Sequence, residues 1–429
     1  MFIGSQVEKS SKITTHQVVL PFYGYAALSF LLASLLLFFS TEAFLQHYFQ
    51  PKILAITHLM ALGWGTMIIL GASHQLVPVL IENPLFSNLL ALITFLLAAL
   101  GIPFLVYGFY CFDMGWPTQL GAIFVNAAVL CYLVNLIMSI SKSKNESVHS
   151  IYIFTATIWL LFTTLIGLLL IYNFSGNFLS FDSLHFLPFH AHIGMVGWFL
   201  LLVIGVGSKL IPMFLISKYS NPRLLWIIYS LNNLGLVSFI LFFFWLPQSN
   251  YYLISGGLIL SSLILFVNYC YQCYKQRIRK QVDPQMKLTV LSVVMMILPV
   301  LILLLILAFF SEDTSNSTFF LLYGFLFFFG WLSAIIFGMT FKTLPFIVWN
   351  KVYHHQTIHG KSPNPKDLFS SSLFTWMSFA YLLGFILFIV GIFFKVEFLL
   401  KSAAGLLIFA AFMYNWNVGK TLFHQSTKT

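Results

Sequence analysis

Three histidines have the spacing that metal ligation inside a membrane requires. His58 lies near the start of one long apolar segment, and His190 and His192 lie near the start of another. An ionisable side chain inside a bilayer is costly, which makes it a candidate for function. Imidazoles that face a shared apolar interior from different helices suit axial ligation of a haem iron. On a helix, the spacing of His190 and His192 turns their rings about 200° apart, so one helix can offer ligands to two compartments. The alternative is a set of interfacial histidines that are hydrogen-bonded to backbone carbonyls.

An internal repeat relates these histidines to one another. The pattern Gly-Trp-x6-Gly-x3-[Gln/Lys]-x2-Pro occurs around Trp64, Trp198 and Trp331, at offsets of 134 and 133 residues. At the first offset His58 is equivalent to His192, whereas the third copy carries no histidine. Because small residues let membrane helices approach closely, the Gly-Trp positions are interpreted as packing positions. The repeat predicts a pseudo-symmetric fold with ligands in its first two units, and therefore a cofactor between the two histidine-bearing helices.

The composition fixes the class of protein. Of 429 residues, 60% are apolar and only 7% are charged, with a mean hydropathy of +0.93, whereas a soluble protein has about 25% charged residues. Apolar runs of about 20 residues cross a bilayer. The sequence has twelve such runs, at about 19–40, 53–80, 86–108, 119–141, 151–173, 188–217, 223–246, 252–272, 288–310, 319–348, 369–394 and 398–418. We predict an all-α polytopic membrane protein, a single membrane domain over 1–429. Its three four-helix arcs follow the internal repeats at about 19–141, 151–272 and 288–418.

The net charge of +10 is interpreted as orientation rather than as nucleic-acid binding. Basic side chains gather in the terminal tails and in alternate loops, as at Lys142, Lys218 and Lys351, whereas Asp113 and Asp182 lie in the opposite loops. This distribution follows the positive-inside rule. It predicts a multi-pass protein of the cell (inner) membrane with both termini in the cytoplasm and the lipid bilayer as its partner.

Further candidates lie toward the other end of the histidine-bearing segments. His74 is 16 residues after His58, or about 24 Å along a helix, so the two cannot bind one metal atom. His74 is a weaker candidate for a metal ligand. With Lys209 and Lys342, which occupy equivalent repeat positions, it is a candidate for a proton or ion path. The alternative for the lysines is snorkelling toward the membrane interface.

The chain resembles subunit I of the haem-copper oxidases. That family has twelve helices in three pseudo-symmetric arcs, and His58 matches the position of its low-spin haem ligand on the second helix. Segment 189–198, Phe-His-Ala-His-Ile-Gly-Met-Val-Gly-Trp, resembles the superfamily's histidine motifs. The family's copper ligands on the seventh helix and its His-x-His on the tenth are missing here. Gly194 and Val196 stand where its tyrosine would follow a histidine by four residues. The resemblance implies haem binding without the complete oxygen-reducing site.

A second resemblance is to the NnrS-type membrane proteins, which contain haem and copper and are linked to nitric-oxide stress. The leading hypothesis is a haem-binding redox protein, with His58 and either His190 or His192 as axial ligands. The remaining histidine would face copper or a second haem. As an oxidoreductase, the protein would take electrons from quinol or a cytochrome and work with other membrane subunits. The alternatives are a non-enzymatic protein that handles or senses nitric oxide, haem or copper, and a cofactor-free transporter.

Overall fold

The chain folds into a bundle of long apolar helices. The computed structural model describes residues 16–142, 147–310, 317–353 and 363–425. Within them, twelve helices are long and apolar enough to span a membrane: α1 (His16–Phe39), α2 (Pro51–Leu80), α3 (Asn88–Cys111), α4 (Trp116–Ile140), α5 (Val148–Gly176), α6 (Leu187–Leu215), α7 (Pro222–Trp245), α8 (Ser249–Lys275), α9 (Pro284–Phe309), α10 (Ser317–Tyr353), α11 (Ser371–Phe394) and α12 (Glu397–Leu422). The all-α, multi-pass membrane fold predicted from the sequence is confirmed. Residues 1–15 and 426–429, which entered the charge argument, lie outside the described residues.

Helices α2, α6 and α10 form the centre of the bundle. Their most apolar stretches are 67%, 72% and 78% buried, against at most 50% for the other spanning helices of the described chain. Each central helix packs on the first helix of its own arc, α1, α5 or α9. The arcs join where α4 meets α5, α8 meets α9 and α12 meets α1. The repeat motif therefore sits on the three helices that touch one another at the core.

The third helix of each arc also follows the repeat. Helices α3, α7 and α11 begin at the capping residues Ser87, Asn221 and Ser370, whose side chains accept a hydrogen bond from the first helical turn. The Asn135 amide donates to the Ser87 carbonyl (2.9 Å) and accepts from its N–H (3.0 Å). Asn417 makes the same pair of bonds to Ser370, at 3.0 and 2.8 Å. In the first and third arcs, the same pair of hydrogen bonds therefore joins the last two helices.

Each central helix contains a π-helical stretch at its Gly-Trp motif. These stretches are Leu59–Thr66, Ile193–Leu200 and Leu326–Leu332. A π-helical turn bonds residue i to i+5 and inserts an extra residue, a rare arrangement that is frequent at functional sites. Gly65, the residue after Trp64, lies where α2 closely approaches α6, because a Cβ there would lie 2.7 Å from the ring of Phe199. The three central helices therefore cross where they are also locally unwound.

Tryptophan side chains tie the arcs together at these crossings. The Trp64 indole N–H donates to the Ser333 hydroxyl of the third arc at 3.1 Å. The Trp198 indole N–H donates to the Thr66 hydroxyl of the first arc at 3.0 Å. In both bonds the acceptor lies two residues after the tryptophan of another arc. The Gly-Trp positions are packing positions, as their repetition indicated.

The two tryptophan hydrogen bonds would form a closed ring among the three arcs if Trp331 made a third, but that bond is missing. The Trp331 indole is buried, and its N–H has no hydrogen-bond partner among the described residues. By the rule that the other two bonds follow, its acceptor would stand two residues after Trp198, where the chain has Leu200. A leucine side chain has no hydrogen-bond acceptor, so only two of the three tryptophan hydrogen bonds between arcs form.

A candidate cofactor cavity between the central helices

A cavity of about 380 Å³ lies among the starting halves of the central helices. Its walls come mainly from α2, α5, α6 and α10, with contributions from α3, α4 and α9, and they are largely apolar. The volume falls within the range of about 300–1,000 Å³ typical of ligand pockets. Its polar lining includes His58, His190, His192 and Tyr323.

His58 and His190 face the cavity as a pair. Their ring centroids are 6.3 Å apart and their planes differ by 19°. Nδ1 of His58 is 2.8 Å from the Leu54 carbonyl, and Nδ1 of His190 is 3.0 Å from the Thr163 carbonyl. Because a carbonyl only accepts hydrogen bonds, we assign the proton to Nδ1 in both rings. A neutral imidazole of that form keeps a lone pair on Nε2, which is the state of a metal ligand.

The spacing of this pair is compatible with two ligands on one metal atom. With a metal–nitrogen distance of about 2.0 Å, His58 and His190 would both come within reach of a metal held between them. The described residues contain no group of three or more His, Cys, Asp or Glu side chains that could hold a metal ion. A bare zinc ion takes three or four protein ligands, whereas a haem brings four nitrogens of its own and takes its axial ligands from the protein. The donor set therefore suits a haem better than an isolated zinc ion.

The His190 imidazole is held by close packing. A Cβ on Gly167 of α5 would lie 2.9 Å from Cε1 of His190, so the ring occupies space that only glycine leaves open. On the other side of the pair, the Phe109 ring of α3 lies 4.3 Å from the His58 ring. Both imidazoles are thus fixed by a backbone acceptor and by an apolar neighbour.

His192 points to the opposite side of α6. Its Nδ1 is 2.7 Å from the Pro188 carbonyl, the same i−4 arrangement as for His58. Its Nε2 is buried and has no hydrogen-bond partner in the described part of the chain. Its ring lies 5.8 Å from the Tyr323 ring of α10 and 5.2 Å from the Phe239 ring of α7. The two histidines of α6 therefore contact different neighbours, although both line the same cavity.

The remaining candidates lie away from the cavity. His74 is buried beside the rings of Phe22 (5.5 Å) and Tyr132 (5.3 Å) and does not line it. Lys342 is paired with Asp283 at the start of α9, and Lys209 is exposed. None of the three contacts a cavity histidine, and the proton or ion path stays a prediction.

Sequence reasoning missed Tyr323 and Gly167. Tyr323 stands 133 residues after His190, the offset of the repeat, so a comparison of units position by position finds it. Gly167 gives no such signal, because its importance comes from how close α5 and α6 approach.

No protein-family model matches the chain, and no curated protein matches it either. The cavity and the residues that line it are the features of the chain that bear on its function.

Proposed function

We propose that the protein is an integral membrane haem protein that takes part in one-electron redox chemistry, in which His58 and His190 would hold the haem iron. The observation that carries this proposal is the pair of imidazoles on α2 and α6. They stand 6.3 Å apart at an apolar cavity, and each has its Nδ1 on a carbonyl. The resemblance to haem-copper oxidase subunit I supports it, since that family holds haem inside the same kind of twelve-helix bundle.

The chain's own residues would prepare the site. The carbonyls of Leu54 and Thr163 fix the orientation of the two rings and raise the basicity of Nε2. The Phe109 ring and the apolar walls exclude water, which disfavours the more highly charged form of any group held there. When bound, the haem supplies a site for single electrons. If His58 and His190 both held the iron, the site would suit electron transfer rather than oxygen reduction.

The ligand assignment is tested on protein purified from membranes and loaded with haem. We expect a reduced-minus-oxidised spectrum with the sharp bands of a six-coordinate haem. The variants His58→Ala and His190→Ala are expected to lose those bands. His185→Ala is the matched control, because His185 is exposed and lies just before α6 outside the cavity. A protein that binds no haem, or a spectrum unchanged in both ligand variants, refutes the proposal.

The choice between enzyme and sensor is made with the same material. We expect the haem-loaded protein to accept and donate electrons without consuming oxygen or nitric oxide. Turnover of either gas by the unmodified protein, abolished in His190→Ala, would assign catalysis to the site instead.

A further inference from the structure

One buried side-chain amide of the described chain has no hydrogen-bond partner at either end. It belongs to Asn232 on α7, which is 1% exposed, and neither its oxygen nor its nitrogen is bonded to a described residue. Leaving a buried amide unpaired is unfavourable, so an orphaned one indicates a bound polar molecule. Asn232 does not line the cofactor cavity, and a haem held there would not explain it.

The repeat gives Asn232 an equivalent residue in the third arc. Asn232 stands 11 residues after Asn221, the capping residue of α7. Tyr381 stands 11 residues after Ser370, the capping residue of α11. The two side chains therefore occupy the same place on the third helix of their arcs.

Tyr381 shows which groups face this place. Its hydroxyl is 2.7 Å from the Phe329 carbonyl and 2.6 Å from the Gly330 carbonyl. Both carbonyls belong to the π-helical stretch of α10. At the repeat offset of 133 residues, their equivalents on α6 are the carbonyls of Val196 and Gly197, which also lie in a π-helical stretch. The repeat therefore predicts that the α7 amide faces these two carbonyls.

Neighbouring contacts show that α7 meets α6 as α11 meets α10. A Cβ on Gly330 would lie 2.7 Å from the ring of Phe385, four residues after the α11 tyrosine. A Cβ on Gly197 would lie 3.0 Å from Cδ2 of Leu236, four residues after Asn232. Residues four apart share one face of a helix. Asn232 therefore lies on the face of α7 that packs against the π-helical stretch of α6.

The two arcs differ in how far the side chain reaches. A tyrosine hydroxyl stands about 3 Å farther from the backbone than an asparagine amide, which is the length of one hydrogen bond to an oxygen atom. A partner between Asn232 and the carbonyls must donate to the carbonyls and also accept from Nδ2. Water does both, and a buried water makes about three hydrogen bonds. The space is narrow, because Trp159 and Leu236 lie 2.7 and 3.0 Å from where a Cβ on Gly197 would be, so a larger ligand does not fit.

We propose that buried water binds between Asn232 and the π-helical stretch of α6. One water accepts from Nδ2 of Asn232 and donates to the carbonyls of Val196 and Gly197, in the place that the Tyr381 hydroxyl takes in the third arc. A second water, bonded to the first, donates to Oδ1 of Asn232. The site gives the unwound part of α6 the donors that its free carbonyls need.

The direct test is an electron cryomicroscopy structure of the full-length protein in a lipid nanodisc, at a resolution that shows ordered water. We expect density within hydrogen-bond distance of the Asn232 amide and of a carbonyl at 196 or 197. No such density is expected beside Tyr381, and Asn232→Leu should lose it. An amide that contacts a carbonyl directly, an amide without neighbouring density, or water that remains in Asn232→Leu overturns the proposal.

A pair of variants tests whether the carbonyls face this place. Asn232→Tyr and Asn232→Phe have the same ring, and only the tyrosine can donate to the carbonyls. In unfolding by sodium dodecyl sulfate, we expect the unfolding equilibrium constant of Asn232→Tyr to be about tenfold smaller than that of Asn232→Phe. Tyr381→Phe, which removes the same hydroxyl in the third arc, is the matched control and should unfold about tenfold more readily than the unmodified protein.

The outcomes are independent of the proposed function, because no readout requires haem. Equal stability of Asn232→Tyr and Asn232→Phe, with Tyr381→Phe destabilised, overturns the placement of the carbonyls. If the larger side chains prevent folding, the structure of the unmodified protein decides, since the water is expected there without any substitution.

Discussion

Leu200→Thr is expected to close the ring of tryptophan hydrogen bonds at the core. The new hydroxyl would accept from the buried Trp331 N–H, as the Thr66 hydroxyl accepts from Trp198 at 3.0 Å. Its own proton can go to a backbone carbonyl, as the Ser333 hydroxyl does to Phe328 at 2.7 Å. The matched control is Leu200→Val, which has the shape of threonine without the hydroxyl.

The magnitude follows from the comparison of these two variants. Both shorten a side chain that is 4% exposed, and each loses about 1 kcal/mol or more of packing. An unpaired hydroxyl in a core costs about 1–3 kcal/mol, so threonine at a buried site is normally worse than valine. Here the hydroxyl satisfies an orphaned N–H, and we expect Leu200→Thr to be more stable than Leu200→Val by about 1 kcal/mol.

The assay is reversible unfolding of the detergent-solubilised protein in sodium dodecyl sulfate, followed by tryptophan fluorescence. Thr66→Val provides the reverse experiment, since it orphans the Trp198 N–H and should destabilise the fold by about 1–3 kcal/mol. If Leu200→Thr proves no more stable than Leu200→Val, the inference that residue 200 faces the Trp331 N–H, as Thr66 faces that of Trp198, is wrong.

Two further substitutions test the cavity and the ion pair of Lys342 on α10. Gly167→Ala places a Cβ 2.9 Å from Cε1 of His190, so we expect the imidazole to shift and part of the haem to become five-coordinate. The control is Gly324→Ala, whose Cβ meets no atom within 4 Å and which should leave the haem spectrum unchanged. Equal spectra for the two variants would contradict the packing argument. Lys342→Met removes one of the two cationic partners of Asp283, whose side chain is 21% exposed and also pairs with Arg279, and should cost about 1 kcal/mol of stability with the haem bands intact. A changed haem spectrum would show that this ion pair is coupled to the cavity.

The sequence was enough to predict the outline of the fold, because the lengths of the apolar segments and the internal repeat can be counted in it. Membrane-spanning runs must be long and nearly free of charge, and the repeated Gly-Trp motif marks the helices that meet at the core. The predicted run at 319–348 ends five residues before α10 ends at Tyr353. The last turns of α10 contain the polar residues Asn350 and Lys351, so a search for apolar segments ends before them.

The choice between His190 and His192 could not be made from the sequence. Their spacing sets the angle between the two rings, but the rotation of α6 against α2 decides which ring meets His58. The π-helical stretches add a residue to each central helix, and no hydrophobic period reveals them. The pairing with His190 therefore emerges only from the packed helices.

The central claim is that His58 and His190 together hold one haem iron, and electron paramagnetic resonance of the oxidised protein tests it most directly. The 19° between the two ring planes predicts the rhombic low-spin signal of nearly parallel imidazoles, not the highly axial signal of perpendicular ones. His190→Ala should convert that signal to high-spin ferric haem, while His192→Phe should leave it unchanged. A low-spin rhombic signal that survives in His190→Ala, or one that disappears in His192→Phe, would contradict the account.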